Sequence, residues 1–219
     1  MSLVINDRAI AVLEAYREKY SFFSDVASDV RSAVEAIVAS YDAGGTLLAC
    51  GNGGSSTDAA HIVGELMKGF TLKRPLGDDY IQSYAKVFPN ADVDFLSRAQ
   101  GALPAVDLSA FCGLSTAICN DIGSDLLFVQ GVLGLGRRND VFFGISTSGN
   151  SDNVLKAGMV ARQRGLSTIA LTGSDGGKMK KYFDICICVP ASVTADIQDM
   201  HTPCYHAICA AVEHHFWEE

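Results

Sequence analysis

The chain has 219 residues, of which 48% are hydrophobic and 19% charged, with a formal net charge of −8. This length fits one domain, or one domain with an appendage, and the apolar content allows a large core. The negative charge argues against nucleic acid as a partner, since a phosphate backbone requires a basic face. We find no basic–apolar leader and no apolar run of roughly 18 residues, so we expect a cytoplasmic protein without a membrane span. The seven cysteines contain no CxxC pair and are expected to be reduced core residues.

Residues 6–42 are predicted to form two helices. The second helix carries an apolar stripe spaced i, i+4, i+7, i+8, i+11, formed by Val30, Val34, Ile37, Val38 and Tyr41. Gly44-Gly45 is expected to end it. Residues 1–43 are thus predicted to form an N-terminal helical arm, and we expect it to pack on the sheet or on a neighbouring subunit.

A glycine-rich loop follows the first predicted strand. Thr46–Cys50 is a short apolar run typical of a buried strand, and Gly51, Gly53 and Gly54 allow the backbone to approach a ligand closely. Ser55 and its neighbours supply hydroxyls where a helix is expected to begin, which favours anion binding. The spacing matches neither GxGxxG nor GxxxxGK[ST], so the anion is expected to be the phosphate of a small metabolite. An ordinary tight turn between strand and helix is the alternative.

His61 and Glu65 lie one helical turn apart in the helix after this loop. An imidazole and a carboxylate on one helix face can bind a metal ion or transfer protons. A simple hydrogen bond between the two side chains explains the same spacing, and the pair alone does not distinguish these hypotheses.

Residues 72–102 contain Pro75, Gly77 and Pro89, and their apolar residues show no persistent period. We therefore predict an irregular insertion in this part of the chain, with at most a short helix near 93–99. Four further strands are predicted at 103–108, 140–145, 167–171 and 185–189, alternating with helices. Five strands in such alternation indicate an α/β fold with a doubly wound parallel sheet.

A second polar loop leaves the predicted strand at 140–145. It carries four hydroxyls at the start of another helix, from Ser146, Thr147, Ser148 and Ser151. A serine-rich capping loop is the alternative, although four hydroxyls at one strand end favour a ligand. Both loops leave the carboxyl ends of strands, where ligands bind in such sheets, so we expect them to face one pocket.

The last helix is predicted from about Thr194 to the end of the chain. Gln198 and His206 lie about two turns apart near one face, with Pro203 between them. His61, Glu65 and His206 could form a set of two histidines and one glutamate, with Gln198 as a fourth ligand. Spacing alone leaves this open, because nothing in it brings the two helices together.

The order of these motifs resembles the sugar isomerase (SIS) family over almost the whole chain. The resemblance rests on five segments: GNGGSSTDAAHIVGE at 51–65, CND at 119–121, STSGNS at 146–151, LTGSDGGKM at 171–179 and TADIQDMH at 194–201 followed by His206. It implies one SIS domain over residues 1–219 with a flavodoxin-like sheet, assembled as a homotetramer with sites at subunit interfaces. The sparse charge of the chain agrees with such an assembly.

The resemblance also implies an activity and residue roles. The activity is a sugar-phosphate aldose–ketose isomerase, converting sedoheptulose 7-phosphate to glycero-manno-heptose 7-phosphate through an enediolate during heptose biosynthesis. Glu65 and His206 match the acid/base pair. The zinc-binding residues implied are His61, Glu65, Gln198 and His206, and the substrate-binding residues are Asn52, Gly53, Ser55, Asp121, Ser146, Thr147, Ser148, Ser151 and Gln198.

Three features depart from the family pattern: the segment at 77–102, Gly69 where a basic residue is common, and Pro203 between two implied ligands. They bear on the substrate more than on the reaction type. The alternative function is a non-catalytic SIS protein that binds a sugar phosphate or a partner protein. Such a protein would not need His61, Glu65, Gln198 and His206 together, and we expect no DNA-binding appendage.

Overall fold

The computed structural model describes residues 5–218 of the chain. Its sheet is entirely parallel and has the order β2-β1-β3-β4-β5. The strands are β1 Leu47–Gly51, β2 Ala105–Asp107, β3 Val141–Ser146, β4 Ser167–Thr172 and β5 Ile185–Cys188. This is the flavodoxin-like order, so the predicted α/β fold is confirmed.

Nine α-helices connect and flank the strands within residues 5–218: α1 Asp7–Lys19, α2 Phe23–Asp42, α3 Gly54–Met67, α4 Asp78–Val87, α5 Cys112–Asp121, α6 Leu127–Leu135, α7 Asp152–Gln163, α8 Met179–Tyr182 and α9 Thr194–Phe216. Short 3₁₀ turns lie at Asp94–Ser97 and Ser124–Leu126. None of the helices that the structure describes is both long and apolar enough to cross a membrane.

Strand β1 shows why the sheet is covered on both faces. All five of its residues are buried. Leu47 and Ala49 point into the core formed with α1, α2, α3 and α9, while Leu48 and Cys50 point into the core formed with α6 and α7. A strand with two buried faces reads as a continuous apolar run, as it does in this sequence.

The N-terminal arm packs on its own chain. The Asn6 side chain caps α1 by accepting a hydrogen bond from the backbone N–H of Ala9 at 3.0 Å, and α1 and α2 both lie against α9. Helix α5 begins at Cys112 and has no side-chain cap. Cys112 and Cys119 are also exposed on α5, whereas Cys50, Cys204 and Cys209 are core residues as expected.

The prediction of an irregular segment is wrong for residues 78–87, which form α4. Gly77 precedes the first residue of this helix, and Pro89 follows the residue that ends it. The glycine and prolines therefore mark the ends of a helix instead of its absence. Helix α4 has no buried residue, and its large side chains Tyr80 and Val87 are exposed.

Candidate active site

The two polar loops leave the sheet side by side. Gly51 at the end of β1 pairs with Ile145 near the end of β3, and the chain order reverses between these two neighbouring strands. Ligands of doubly wound sheets bind at this switch point, beyond the carboxyl ends of the strands. The expected placement of both loops at one edge of the sheet is therefore observed.

The glycine loop turns tightly from β1 into α3. A Cβ at Gly51 would lie 2.5 Å from the carbonyl oxygen of Ser55, and Gly53 has φ of +56°. Both positions therefore require glycine, the first for space and the second for conformation. The turn places buried Ser55 in the first turn of α3, where the helix dipole favours an anion.

The serine loop is held by its own hydroxyls. The Oγ atoms of Ser146 and Ser151 are 2.8 Å apart, and Ser148 Oγ accepts a hydrogen bond from the backbone N–H of Asn150 at 3.2 Å. Ser146 is buried, Thr147 and Ser151 are half-buried, and Ser148 is exposed. Helix α7 begins directly after Ser151, so the loop ends at a second helix N-terminus.

Asn52 and Asn153 join the two loops. Each side-chain amide donates to the oxygen of the other, and both N···O distances are 2.9 Å. Asn52 belongs to the glycine loop and Asn153 to the first turn of α7. This reciprocal pair ties the starts of α3 and α7 together.

The predicted acid/base residues meet between α3 and α9. His61 Nε2 lies 2.9 Å from Glu65 Oε1, and the His61 and His206 rings stand edge to face with centroids 4.9 Å apart. Glu65 Oε2 and His206 Nε2 are buried and have no hydrogen-bond partner. Such atoms are uncommon in folded proteins and mark candidate ligand-binding groups, although Glu65 Oε2 also lies 3.6 Å from Lys68 Nζ.

Tyr205 fixes the other side of the His61 ring. Its hydroxyl oxygen lies 3.1 Å from His61 Nδ1 and donates to Asp58 Oδ1 at 3.3 Å or to Thr202 at 3.4 Å. Burial raises the pKa of Tyr205 to about 12 and also raises the pKa of Asp58. The phenol therefore stays protonated at neutral pH and remains available as a hydrogen-bond donor.

The surroundings of His206 favour its neutral form. Burial lowers its pKa, and the charge of nearby His61 lowers it further, while Glu65 acts in the opposite direction. The Phe70 ring packs on His206 with centroids 5.2 Å apart. A neutral imidazole in such a pocket can either accept or donate a proton.

Gln198, a member of the predicted metal-binding set, lies against the glycine loop. A Cβ at Gly54 would come within 2.4 Å of Gln198 Nε2. Residues 5–218 contain no group of three or more His, Cys, Asp or Glu side chains placed to hold a metal ion. The orphaned atoms of Glu65 and His206 are nevertheless the oxygen and nitrogen donors that zinc accepts.

Asp121 was predicted as a site residue, but within residues 5–218 its side chain makes no hydrogen bond to either loop. It is the last residue of α5, is exposed, and accepts a hydrogen bond from the side chain of Asn120 at 2.7 Å.

Several residues that shape the site were not predicted from the sequence: Asp58, Phe70, Arg74, Asn153, Tyr205 and Glu213. Two of them left a signal. Glu213 is a charged residue within the apolar run of α9, and Arg74 directly precedes Pro75 in the segment between α3 and α4. Asn153 and Asp58 left none, because their partners are remote in sequence.

The chain matches the SIS-domain family in two adjoining stretches, residues 13–109 and 111–214. A phosphoheptose isomerase of Rhodospirillum rubrum is 36% identical over 209 residues, covering 95% of this chain and 97% of that protein. The chain belongs to the SIS family. A phosphoheptose isomerase of Roseiflexus sp. (strain RS-1) is 37% identical to this SIS protein over 84% of the chain and 81% of its own length.

Solved structures agree with this membership. The phosphoheptose isomerase of Neisseria gonorrhoeae has a TM-score of 0.70 to this SIS protein at 34% identity, over 93% of this chain and 96% of that chain. The enzyme of Francisella tularensis has a TM-score of 0.73 at 27% identity, over 94% and 96%. The predicted family is therefore confirmed. The extent of the domain, residues 1–219 with an arm at 1–43 and an insertion at 72–102, stays a prediction.

Proposed function

We propose that this SIS protein is an aldose–ketose isomerase that converts sedoheptulose 7-phosphate to glycero-manno-heptose 7-phosphate. One observation carries the proposal: Glu65 on α3 and His206 on α9 each present a buried atom without a hydrogen-bond partner beside the same His61 ring. Isomerisation requires two proton-handling groups in one pocket, one for carbon and one for oxygen. The phosphoheptose isomerases to which the chain is similar support the substrate.

The phosphate of the substrate would bind at the two loops. Ser55, Ser146, Ser148 and Ser151 supply hydroxyls where α3 and α7 begin, and the dipoles of both helices favour a dianion there. His61 lies seven residues after Gly54, about 10 Å along the helix axis. This is comparable to the length of an extended sugar phosphate, so the loops can anchor one end while Glu65 and His206 act on the other.

Glu65 would carry the proton that moves between C1 and C2. Its carboxylate removes the C1 proton of the ketose, and the negative charge then develops on the C2 oxygen of the enediolate. The neutral imidazole of His206 can pass a proton between the C1 and C2 oxygens, after which Glu65 returns its proton to C2. Asn52 and Thr147 would orient the sugar hydroxyls between these two ends.

The side chains of His61, Glu65, Gln198 and His206 are of the donor types that zinc accepts, and these residues would hold the ion. When bound, such an ion polarises a substrate oxygen and stabilises the negative charge of the enediolate. Glu65 and His206 would then serve both in metal binding and in proton transfer. Tyr205, which donates to Asp58, contacts the other nitrogen of the His61 ring and so holds this proposed ligand in place.

We also propose that the protein is a cytoplasmic homo-oligomer, a tetramer by the resemblance. Large apolar side chains stand exposed on several elements, including Val87 at 69%, Ile122 at 56% and Leu114 at 48%. Exposed apolar side chains of this size favour burial against other subunits. Light scattering in line with gel filtration gives the mass directly, and a monomer at micromolar concentration would contradict the tetramer.

The alternative is a protein that binds a sugar phosphate without converting it. The test is to incubate the purified protein with ketose phosphates of five, six and seven carbons and to follow aldose products by NMR. The proposal expects product from sedoheptulose 7-phosphate above all. Tight binding without product, or without exchange of the C1 hydrogen in D₂O, would favour the alternative.

A further inference from the structure

A fully buried ion pair lies behind the proposed catalytic residues. Arg74 Nε and Glu213 Oε1 are 2.7 Å apart, and both side chains are 0% exposed. Arg74 is the largest side chain that is fully buried in the part of the chain described. Neither residue belongs to the site as the sequence predicted it.

The arginine connects this pair to α3. Its Nη1 and Nη2 donate to the backbone carbonyls of Leu66 and Glu65 at 2.6 and 2.8 Å. These carbonyls belong to the last turn of α3 and have no acceptor role within the helix. The guanidinium also lies 4.6 Å above the Trp217 ring. Arg74 therefore fixes the backbone of Glu65 directly.

The glutamate connects the pair to His206. The Glu213 carboxylate accepts hydrogen bonds from the backbone N–H groups of Phe70, Thr71 and Leu72 at 2.8, 2.7 and 3.1 Å. The Phe70 ring in turn packs on His206. Glu213 also follows His206 by seven residues, or two turns, so both project from one side of α9. Glu213 therefore fixes the wall of the pocket that holds His206.

We propose that Arg74 and Glu213 are positioning residues that set the separation of Glu65 and His206. The inference rests on the proposed function for its kinetic consequence. It explains why an ion pair is buried here at all, since an apolar pair of similar volume is often as stable or more stable. Only a planar guanidinium serves three acceptors at once in this geometry, those of Glu213, Leu66 and Glu65.

Two variants test the proposal. Arg74→Lys keeps the charge but cannot reach all three acceptors. The double variant Arg74→Met/Glu213→Leu removes both charges together, so no unpaired charge is left in the core and the chain can fold. The control is Arg162→Lys, because Arg162 and Asp184 form an arginine–carboxylate pair of 2.9 Å that is partly exposed and touches neither Glu65 nor His206.

Three measurements are made on each protein: kcat and KM with sedoheptulose 7-phosphate, affinity for inorganic phosphate, and the imidazole ¹H–¹⁵N resonances of His206. We expect kcat to fall at least about 10-fold in both test variants, because misplacement of reacting groups by about 1 Å can cost 10²-fold. KM and phosphate affinity should stay within about threefold, since the loops are remote from the pair. The His206 resonances should shift in both test variants and stay unchanged in the control.

The outcome separates positioning from simple stabilisation. A variant that melts at lower temperature, yet keeps wild-type kcat and His206 resonances well below its melting point, would overturn the inference. If the wild-type protein does not convert sedoheptulose 7-phosphate, the proposed function fails by itself. The His206 resonances of the double variant then decide the inference without any kinetic measurement.

Discussion

Asn52 and Asn153 exchange two side-chain hydrogen bonds of 2.9 Å across the two loops of the site. A reciprocal amide pair needs a donor and an acceptor on each partner, so neither asparagine can be replaced by an acid without loss of one bond. The pair thus makes the distance between the two proposed phosphate-binding loops depend on Asn52 in the glycine loop and on Asn153 in the first turn of α7.

Asn153→Asp should weaken substrate binding. The carboxylate can accept from Asn52 but cannot donate to it, and it adds negative charge near the expected phosphate. We expect KM for sedoheptulose 7-phosphate to rise about tenfold, equivalent to about 1.4 kcal/mol, with a smaller change in kcat. Asp152→Asn is the matched control because it alters charge on the adjacent, exposed residue. An unchanged KM in Asn153→Asp would show that the loops do not depend on the pair.

The serines should contribute separately to phosphate binding. Each of Ser146→Ala, Ser148→Ala and Ser151→Ala is expected to weaken substrate binding by about 1–3 kcal/mol, the usual contribution of a hydrogen bond to a charged group. Isothermal titration with inorganic phosphate and with substrate measures this. Ser167→Ala, at the opposite end of a strand, is the control. A triple variant that binds both ligands as the wild type does would refute the assignment.

Glu65→Gln should abolish turnover and leave binding largely intact. The amide is nearly isosteric but cannot accept a proton at neutral pH, and a general base usually contributes about 10²–10⁴ in rate. Exchange of the substrate's C1 hydrogen with D₂O, followed by NMR, isolates this step. Metal content is measured on the same sample. Exchange at the wild-type rate in the variant would assign the proton to another residue, with His206 as the first candidate.

Zinc content should depend on His61. Protein purified without chelator is expected to carry about one zinc ion per chain, and His61→Ala should lose most of it. His215→Ala is the control, because His215 lies at the far end of α9 and its Nδ1 accepts from the backbone N–H of Asn6. Elemental analysis by mass spectrometry gives the ratio. Equal zinc in His61→Ala and wild type would place the ion elsewhere.

His201 should make the fold sensitive to acid. It is fully buried, and burial lowers its pKa to about 4, an effect only partly offset by the Thr172 backbone. In the unfolded chain the pKa of His201 has its ordinary value near 6.5. Between about pH 4 and pH 6.5 His201 is therefore protonated in the unfolded chain but not in the folded one. The stability is fully present above about pH 6.5 and is lost as pH falls towards 4.

The size of this effect can be measured by urea unfolding at pH 7 and pH 4.5. Between these values His201 should cost the wild type about 2–3 kcal/mol. His201→Gln does not titrate, so its unfolding free energy should fall by that much less over the same interval. His215→Gln, which removes a partly exposed histidine, is the control. Parallel loss of stability in wild type and His201→Gln would contradict the assignment.

The order of strands and helices could be predicted from the sequence because it depends on neighbours in the chain. The apolar run of β1, the stripe on α2 and the serines after β3 all lie within a few residues of the structure they determine. The alternation of elements then restricted the sheet to a parallel one, and its carboxyl edge became the expected place of the site. Helix α4 does not stand out in the sequence, because the glycine and proline at its borders resemble interruptions.

Only the tertiary structure decided which residues meet. His61 and Glu65 could be paired by helical periodicity, but their meeting with His206 depends on how α3 packs on α9. The Arg74–Glu213 pair and the Asn52–Asn153 pair join residues more than 100 positions apart in the chain. No local pattern encodes such contacts, because their geometry is set by the burial of whole helix faces against one sheet.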